Sequence, residues 1–450
     1  MDRNLRADAL ACFDAAVAAV EPERLVRRYL EEHPTLLEVR GEIHLAAIGK
    51  AAAAMARGAE AALGARIAGG VLILPAGQEG EAPAGLATFG GGHPVPTADG
   101  IRGARAILEL AESLGEADLL LCLVSGGGSA LMTLPPDGIV LDDLRETTRL
   151  LLAAGATIGE LNCVRKHLDR LKGGRLARAA APARVVALVL SDVVGDPLDV
   201  IASGPVSPDP TTFDDALRLV ERHGLRDALP AAVREHLERG SRGEEEASAA
   251  PGDRAFAGVT AAVVGANRLA AEAARAEAER RGYATLLLST LVTGEAREVG
   301  RVLAALGAEA LRSGRPAAPP ACLVAAGETT VTVAGPGRGG RNQEVALGAA
   351  VALDELLGSD PEAAGRILIA SFGTDGVDGP TDAAGAIATG ASLARARERR
   401  LDARRALAAN DAYPFFEALG DLVITGPTGT NVMDLMLVLV AGEGLQRDRS

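Results

Sequence analysis

The chain has 450 residues, a formal net charge of −14, a hydrophobic fraction of 48% and an aromatic fraction of only 2%, with no tryptophan. This length is too great for a single hydrophobic core and predicts two domains. The negative charge and the scarcity of aromatic rings argue against a protein that binds nucleic acids.

Four cysteines without metal-type spacing predict reduced thiols and a cytoplasmic protein. They are Cys12, Cys122, Cys163 and Cys322. The N-terminal apolar stretch is interrupted by Asp14, which is typical of an amphipathic helix and not of a signal peptide. We predict no membrane span, because the sequence lacks an apolar run of about 18 residues.

Apolar runs that end in small or polar residues alternate with helical patterns along the chain. This alternation predicts an α/β protein of two domains with largely parallel, Rossmann-like sheets, whose ligands bind beyond the carboxyl ends of the strands. The polar, glutamate-rich stretch 238–258 predicts a linker. The predicted domains are therefore an N-terminal α/β domain over residues 1–240 and a C-terminal α/β domain over residues 255–450.

The first two strand ends carry residues suited to an anion. The run HLAAIGK (44–50) ends on Lys50 where a helix begins, and a lysine there opposes the helix dipole unless an anion is bound. The stretch LLCLVSGGGSALM (120–132) places a glycine-rich loop between a strand and a helix, as in phosphate-binding loops. The loop residues are Ser125, Gly126, Gly127, Gly128 and Ser129. The alternatives are a solvated lysine and a tight turn without a ligand.

The segment 160–177 is predicted to be a helix that ends at two glycines. Four polar residues recur along it at spacings of three and four and share one face. They are Asn162, Arg165, Lys166 and Asp169. We interpret Asn162 and Lys166 as candidate ligands of a cofactor, and the alternative is a solvated charged face.

Aspartates and one arginine mark the remaining loops. Asp192 and Asp196 follow a strand and are candidate ligands of a divalent cation, although the same residues also form ordinary turns. The loop GPGRGGRNQE (335–344) puts Arg341 at a helix start, where guanidinium and free N–H groups can bind a carboxylate or a phosphate. The loop 371–386 offers Asp375 as a general base or metal ligand, or forms a Gly/Asp turn cluster.

Taken in order, these motifs resemble the glycerate 2-kinases of the MOFRL type over most of the chain. The matching segments are GK (49–50), SGGGSALM (125–132), NCVRKHL (162–168), LKGGRLA (171–177), SDVVGD (191–196), GGRNQE (339–344), TDGVDGPTDAAGA (374–386) and TGTNVMDL (428–435). The family's C-terminal motif departs here to NVMDLML, a mild substitution within an apolar element.

The resemblance implies that ATP phosphorylates the C2 hydroxyl of D-glycerate to 2-phosphoglycerate, with Mg²⁺ or another divalent cation. It implies an active site in the cleft between two α/β domains, the second of them MOFRL-like, and matches Lys50 and Arg341 to the family's active-site positions. On this hypothesis the glycine-rich loop binds ATP phosphates, and Asp192 or Asp375 binds the cation or accepts the hydroxyl proton. The expected partners are small molecules, and the chain is expected to be a monomer or homodimer.

Two other functions remain open. An NAD(P)-dependent hydroxypyruvate reductase is the first, but the stretch SGGGSALM (125–132) lacks the third glycine of the dinucleotide fingerprint G-x-G-x-x-G. A non-catalytic anion-binding protein is the second, and it would leave the two aspartate-rich loops without a use. A P-loop is excluded because Gly49 and Lys50 are followed by Ala51, where that motif needs Ser or Thr.

Overall fold

The computed structural model describes residues 4–358 and 360–442. These residues form two compact units. The N-terminal unit consists of residues 22–191 and 196–265. The C-terminal unit consists of the described residues up to 21, residues 192–195, and the described residues from 266 onward.

The N-terminal unit is built on one sheet. Its strands are β1 (Ile43–Ile48), β2 (Ile67–Pro75), β3 (Ala87–Gly91), β4 (Leu119–Val124), β5 (Arg184–Leu190) and β6 (Val259–Gly265). Their order is β3-β2-β1-β4-β5-β6 and every neighbouring pair is parallel. This is the strand order of the doubly wound Rossmann fold, so the parallel, Rossmann-like prediction is confirmed for this unit. The direction of strand addition reverses between β1 and β4, and ligands bind at such switch points.

Helices on the two faces of this sheet bury it, which is why all six residues of β4 are apolar and buried. The helices of the unit are α2 (Pro22–Glu32), α3 (Ala52–Leu63), α4 (Ala98–Ser113), α5 (Gly128–Leu131), α6 (Leu141–Ala153), α7 (Ile158–His167), α8 (Arg175–Ala180), α9 (Phe213–Arg222) and α10 (Ala231–Ser241).

The C-terminal unit has a mixed sheet, which corrects the prediction of a largely parallel one. Its strands are β7 (Ala284–Val292), β8 (Ala321–Gly327), β9 (Ile367–Gly373), β10 (Gly385–Thr389), β11 (Leu422–Val423) and β12 (Asp434–Val440), in the order β11-β10-β9-β12-β8-β7. Only β7 and β8 pair in parallel, and β12 is antiparallel to both β8 and β9. A strand that is buried on both faces is a run of apolar residues whether it is parallel or antiparallel to its neighbours. The sequence pattern therefore could not distinguish a parallel sheet from a mixed one.

The helices of the C-terminal unit include a long pair that packs on the sheet. They are α1 (Leu5–Ala19), α11 (Asn267–Arg280), α12 (Ala296–Ser313), α13 (Arg341–Leu357), α14 (Pro361–Ala364), α15 (Ser392–Glu398), α16 (Ala403–Ala408) and α17 (Ala412–Leu419). Buried residues of α12, α13, β8, β9 and β12 form the core on one side of the sheet. Across the described ranges, no helix combines the length and the hydropathy that a bilayer span requires.

The division into units differs from the predicted domain boundaries. Strand β6 continues the first sheet by pairing with β5, so the N-terminal unit extends to Gly265, beyond the linker predicted at 238–258. Helix α1 lies in the C-terminal unit, where the rings of Phe13 and Phe372 are 4.7 Å apart. Both differences come from contacts between distant segments, which composition does not reveal.

Candidate active site

In the N-terminal unit, the segments that follow β1 and β4 meet at the switch point. The N–H of Lys50 donates to the carbonyl oxygen of Gly126 at 2.9 Å, and the N–H of Ser125 donates to that of Ile48 at 2.9 Å. Gly49 has a φ of 120°, and a Cβ there would lie 2.2 Å from Ser125 Oγ, so only glycine permits this approach. The structure thus brings Lys50 and the glycine-rich loop together.

Ser125 is buried, and its hydroxyl is used within the chain. Its Oγ accepts a hydrogen bond from the N–H of Ala51 at 3.0 Å and donates to the carbonyl oxygen of Ile48 at 3.3 Å. The hydroxyl therefore joins the ends of β1 and β4. The sequence predicted that Ser125 binds a cofactor. In the structure its side chain instead holds the loop in place.

The main chain of the loop offers donors instead. The N–H groups of Gly126, Gly127, Gly128 and Ser129 donate to no acceptor in the part of the chain that the structure describes. Gly127 has a φ of 81°, a left-handed conformation that glycine adopts without strain. Unsatisfied N–H groups at the end of a strand are suited to the oxygens of an anion.

Lys50 differs from the other two lysines of the chain. Lys166 and Lys172 are 3% and 2% exposed. The Nζ of Lys166 lies 3.3 Å from Asp209 Oδ1, and that of Lys172 lies 2.5 Å from Asp169 Oδ2. Lys50 is exposed and forms no ion pair with any residue that the structure describes. Its charge is therefore available to a ligand, whereas the charge of Lys166, a predicted cofactor ligand, is matched inside the protein.

His93 is a neighbour of Lys50 that the sequence interpretation did not select. A Cβ on Gly127 would lie 3.1 Å from the His93 ring and 3.3 Å from Lys50 Cγ, so the two side chains flank the loop. Desolvation by the atoms around its ring, followed by the charge of Lys50, lowers the pKa of His93. The sequence offered one signal for this residue: His93 follows β3, and the segments after parallel strands lie at the same edge of the sheet as Lys50.

Asn162 and Ser129 belong to one hydrogen-bonded set. The hydroxyl of Ser203 lies 2.8 Å from that of Ser129 and 3.4 Å from Asn162 Oδ1. Ala202 and Ser203 have φ values of 50° and 61°, which non-glycine residues rarely adopt. Such strain is typical of functional sites and requires support from the surrounding structure. Asn162 therefore supports the loop through Ser203.

The predicted cation ligands Asp192 and Asp196 fall in different units. Asp196 has a φ of 56°, and its buried Oδ1 has no hydrogen-bond partner among the described residues. Within the described ranges, no three or more His, Cys, Asp or Glu side chains form a group that could hold a metal ion. The structure does not assemble a metal cage from these aspartates.

In the C-terminal unit, Arg341 lies at the edge where β8 and β9 end and β12 begins. Asp434, the first residue of β12, pairs with Gly327 of β8 and Gly373 of β9. Arg341 donates from Nε to Asp434 Oδ2 at 2.6 Å and from Nη2 to Oδ1 at 3.0 Å, and its Nη1 lies 2.7 Å from Glu328 Oε1. The sequence predicted that Arg341 binds an anionic ligand. In the structure two carboxylates of the protein, Asp434 and Glu328, already occupy part of its hydrogen-bonding capacity. Asp434 lies in the matching segment 428–435 but was not selected there as a site residue, and Glu328 lies in none of the matching segments.

Acidic charge exceeds basic charge around Arg341. Burial raises the pKa of Asp434, and Arg341 offsets this only in part. Burial also raises the pKa of Glu328, and the charges of Asp434 and Asp192 add to the shift while Arg341 opposes it. The charge of Asp375, a half-buried residue whose Oδ1 accepts the N–H of Val377 at 3.1 Å, contributes to the shift at Asp434.

Asp378 caps helix α13 from the loop 374–384. Its two carboxylate oxygens accept the N–H groups of Asn342 at 3.1 Å and Gln343 at 2.8 Å. The side-chain amide of Asn342 also donates to Asp434 Oδ1 at 2.9 Å. The cap therefore fixes the helix turn that carries Arg341. Nothing in the sequence separated Asp378 from the other aspartates of its loop.

We expect Asp378 to make stability depend on pH. Burial raises the pKa of Asp378 to about 7, whereas the pKa of an aspartate in the unfolded chain is about 3.9. The folded state therefore holds the proton more tightly, and stability is lost as the pH rises from about 4 through 7. The loss is at most about 1.4 kcal/mol per pH unit in that window. Urea unfolding of the wild type and Asp378→Asn at several pH values measures it, and equal slopes would contradict the assignment.

Comparisons with known proteins identify the family to which the chain belongs. Residues 8–238 match the family described as a domain of unknown function, DUF4147, and residues 321–434 match the MOFRL family. A glycerate 2-kinase of Pyrococcus horikoshii is 39% identical over 98% of each chain. A relative from Agrobacterium vitis with the provisional name hydroxypyruvate reductase is 42% identical over 95% of this chain and 93% of its own.

A solved structure is similar over nearly the whole length. The crystal structure of glycerate kinase from Thermotoga maritima has a TM-score of 0.85 and 39% sequence identity, and the match covers 97% of this chain and 99% of that one. Both sheets are therefore part of a known architecture. The chain belongs to the glycerate kinase family, with the MOFRL domain at its C-terminal end.

Proposed function

We propose that the chain transfers the γ-phosphate of ATP to the C2 hydroxyl of D-glycerate, giving 2-phosphoglycerate and ADP. The observation that carries the proposal is the unpaired Lys50 beside four unsatisfied main-chain N–H groups at the switch point. In the reaction the C2 oxygen attacks the γ-phosphorus, and the bond to the β,γ-bridging oxygen breaks as ADP leaves. The hydroxyl proton passes to a carboxylate, for which Asp375 and Asp192 are the proposed acceptors.

The N-terminal unit is proposed to bind the phosphates of ATP. The N–H groups of residues 126–129 donate to phosphate oxygens, and Lys50 supplies a positive charge to the transferring group. Phosphoryl transfer depends mainly on positioning and on stabilising negative charge, so donors fixed in advance are effective. Asn162 acts through Ser203 by holding Ser129 and the loop.

In the C-terminal unit, Arg341 is proposed to stabilise the transferring phosphate. Its guanidinium has five N–H donors. Three of them are directed at Asp434 and Glu328, which fix the orientation of the group and leave two for a substrate oxygen. A positively charged group held in place by its own carboxylates needs little reorganisation during the reaction.

Mg²⁺ is proposed to bind with ATP. Asp192 and Glu328 suit it, because their mutual repulsion contributes to the raised pKa of Glu328 and a cation would relieve it. Mg²⁺ commonly takes one or two carboxylates together with phosphate oxygens, so a complete protein cage is not required. Asp196, with an unpartnered carboxylate oxygen among the described residues, is a third proposed ligand. When bound, the ion neutralises charge on the phosphates.

The proposed setting is the cytoplasm, with the chain acting as a monomer or homodimer. The four cysteines are free thiols and all are buried, which is consistent with a reducing compartment. Burial raises the pKa of Cys12 and Cys122 to about 12, so neither thiol is reactive at neutral pH.

Phosphorus-31 NMR of the purified protein with ATP, Mg²⁺ and D-glycerate tests the reaction. We expect a 2-phosphoglycerate signal that grows together with that of ADP and is absent when glycerate is omitted. A 3-phosphoglycerate signal would retain the kinase and overturn the C2 assignment. If no phosphoglycerate forms, NADH oxidation with hydroxypyruvate tests the reductase that the name of the Agrobacterium relative suggests.

A further inference from the structure

Arg165 of the N-terminal unit lines a cavity beside the glycine-rich loop. The cavity is small, with a volume of about 30 Å³, and its polar lining includes Ser129, Thr148, Asp169 and Lys172. Ser129 belongs to both the loop and the cavity wall, so the two features adjoin. A volume of this size holds about two water molecules, or a small polar group such as a carboxylate in their place.

Arg165 is partly buried and forms no ion pair with any residue that the structure describes. Its pKa is lowered by burial, and no neighbouring carboxylate opposes the shift. The next residue, Lys166, has Asp209 as its partner, and Arg175 donates to the carbonyl oxygens of Lys166 and Glu246. A partly buried guanidinium without an internal acceptor is well placed to donate hydrogen bonds to an anionic ligand.

The cavity carries a single unmatched positive charge. Lys172 donates to Asp169 Oδ2 at 2.5 Å and to the carbonyl oxygen of Met132 at 2.9 Å, so its charge is neutralised locally. Arg165 is the remaining ionised group of the lining. The hydroxyl of Thr148 has no hydrogen-bond partner in the described ranges, and several leucines complete the wall. This chemistry suits a small hydroxy acid with one negative charge, not a triphosphate.

We infer that Arg165 binds the carboxylate of the acceptor acid and thereby selects a small monocarboxylate as the phosphoryl acceptor. The inference rests on the proposed function, which it deepens by assigning the acceptor's carboxylate to a residue outside the phosphate-binding set. The planar guanidinium can donate two parallel hydrogen bonds to a carboxylate, a geometry that lysine cannot reproduce. Arg165 is a specificity residue of the reaction, since it contacts the substrate and not the transferring group.

The test changes the residue and the ligand together. Arg165→Met should raise the KM for D-glycerate about a hundredfold and leave the KM for ATP within about threefold. With D-glyceramide, whose amide is neutral, the wild type should be much less efficient than with D-glycerate, and Arg165→Met should lose most of that preference. Arg165→Lys should be intermediate. Arg170→Met, an exposed arginine five residues along, is the matched control and should behave as wild type.

Calorimetric titration with D-glycerate alone separates this inference from the proposed function. If the wild type does not phosphorylate glycerate, yet binds it and loses affinity in Arg165→Met, the proposed reaction fails and the carboxylate assignment holds. An unchanged preference for D-glycerate over D-glyceramide in folded Arg165→Met would overturn the assignment. So would a rise in the KM for ATP with no change in the KM for D-glycerate.

Discussion

Lys50→Met is expected to lower kcat/KM by about a hundred- to a thousandfold, the usual effect of removing one preorganised group that stabilises developing negative charge. The loss should appear mainly in kcat, because the charge on the transferring phosphoryl group is redistributed in the transition state. The melting temperature should not change, since Lys50 is exposed and has no ion-pair partner among the described residues. Steady-state kinetics and thermal unfolding of the same preparation provide both measurements.

The scarcity of lysine allows an independent test. Lys166 and Lys172 are buried, so an amine-directed reagent should modify Lys50 first among the three lysines. ATP should slow that modification, and D-glycerate alone should not. Lys50→Arg is the matched variant, which keeps the charge and should retain part of the activity. Wild-type kcat in Lys50→Met, or modification of Lys50 at the same rate with ATP, would remove this residue from the phosphate site.

Arg341→Met is expected to destabilise the protein by about 3–5 kcal/mol as well as abolish most activity. Asp434 is completely buried, and Arg341 supplies its two closest charged hydrogen bonds. Without the guanidinium the carboxylate keeps only the neutral amide of Asn342 at 2.9 Å among its side-chain partners in the described ranges. Urea unfolding at pH values above the titration of Asp434 measures the loss.

A double variant separates stability from catalysis. Asp434→Asn removes the buried charge, so Arg341→Met/Asp434→Asn should recover much of the stability lost in Arg341→Met. It should not recover activity, because the guanidinium that we propose to bind the phosphate is still missing. Activity that returns together with stability would show that Arg341 is only structural. A full loss of stability in the double variant would show that the ion pair is not its source.

Much of the candidate site at the edge of each sheet could be predicted from the sequence. Lys50 and the glycine-rich loop follow apolar strands, and Arg341 opens a helix, because strand and helix patterns depend on residues that are close in the chain. The carboxyl ends of parallel strands lie at one edge of a sheet. The proximity of Lys50 and the glycine-rich loop could therefore be predicted from their positions after two such strands.

The partners of these residues could not be predicted in the same way. Arg341 and Asp434 are 93 positions apart, and Lys166 and Asp209 are 43 apart, so no local pattern reports whether a charge is matched. In the same way, the hydroxyl of Ser125 donates to the carbonyl oxygen of Ile48 at the end of β1, 77 residues earlier in the chain.

The sequence by itself determined the α/β class, the order of the elements and the segments that carry the candidate site residues, because these follow from local periodicity and from glycine-rich turns. Only the tertiary structure decided the antiparallel course of β12, the boundary after β6, and which cations are already paired. Those properties arise from hydrogen bonds and ion pairs between distant segments. They leave Lys50 and Arg165 as the cations of the N-terminal unit's proposed ligand-binding regions whose charge the described residues do not match.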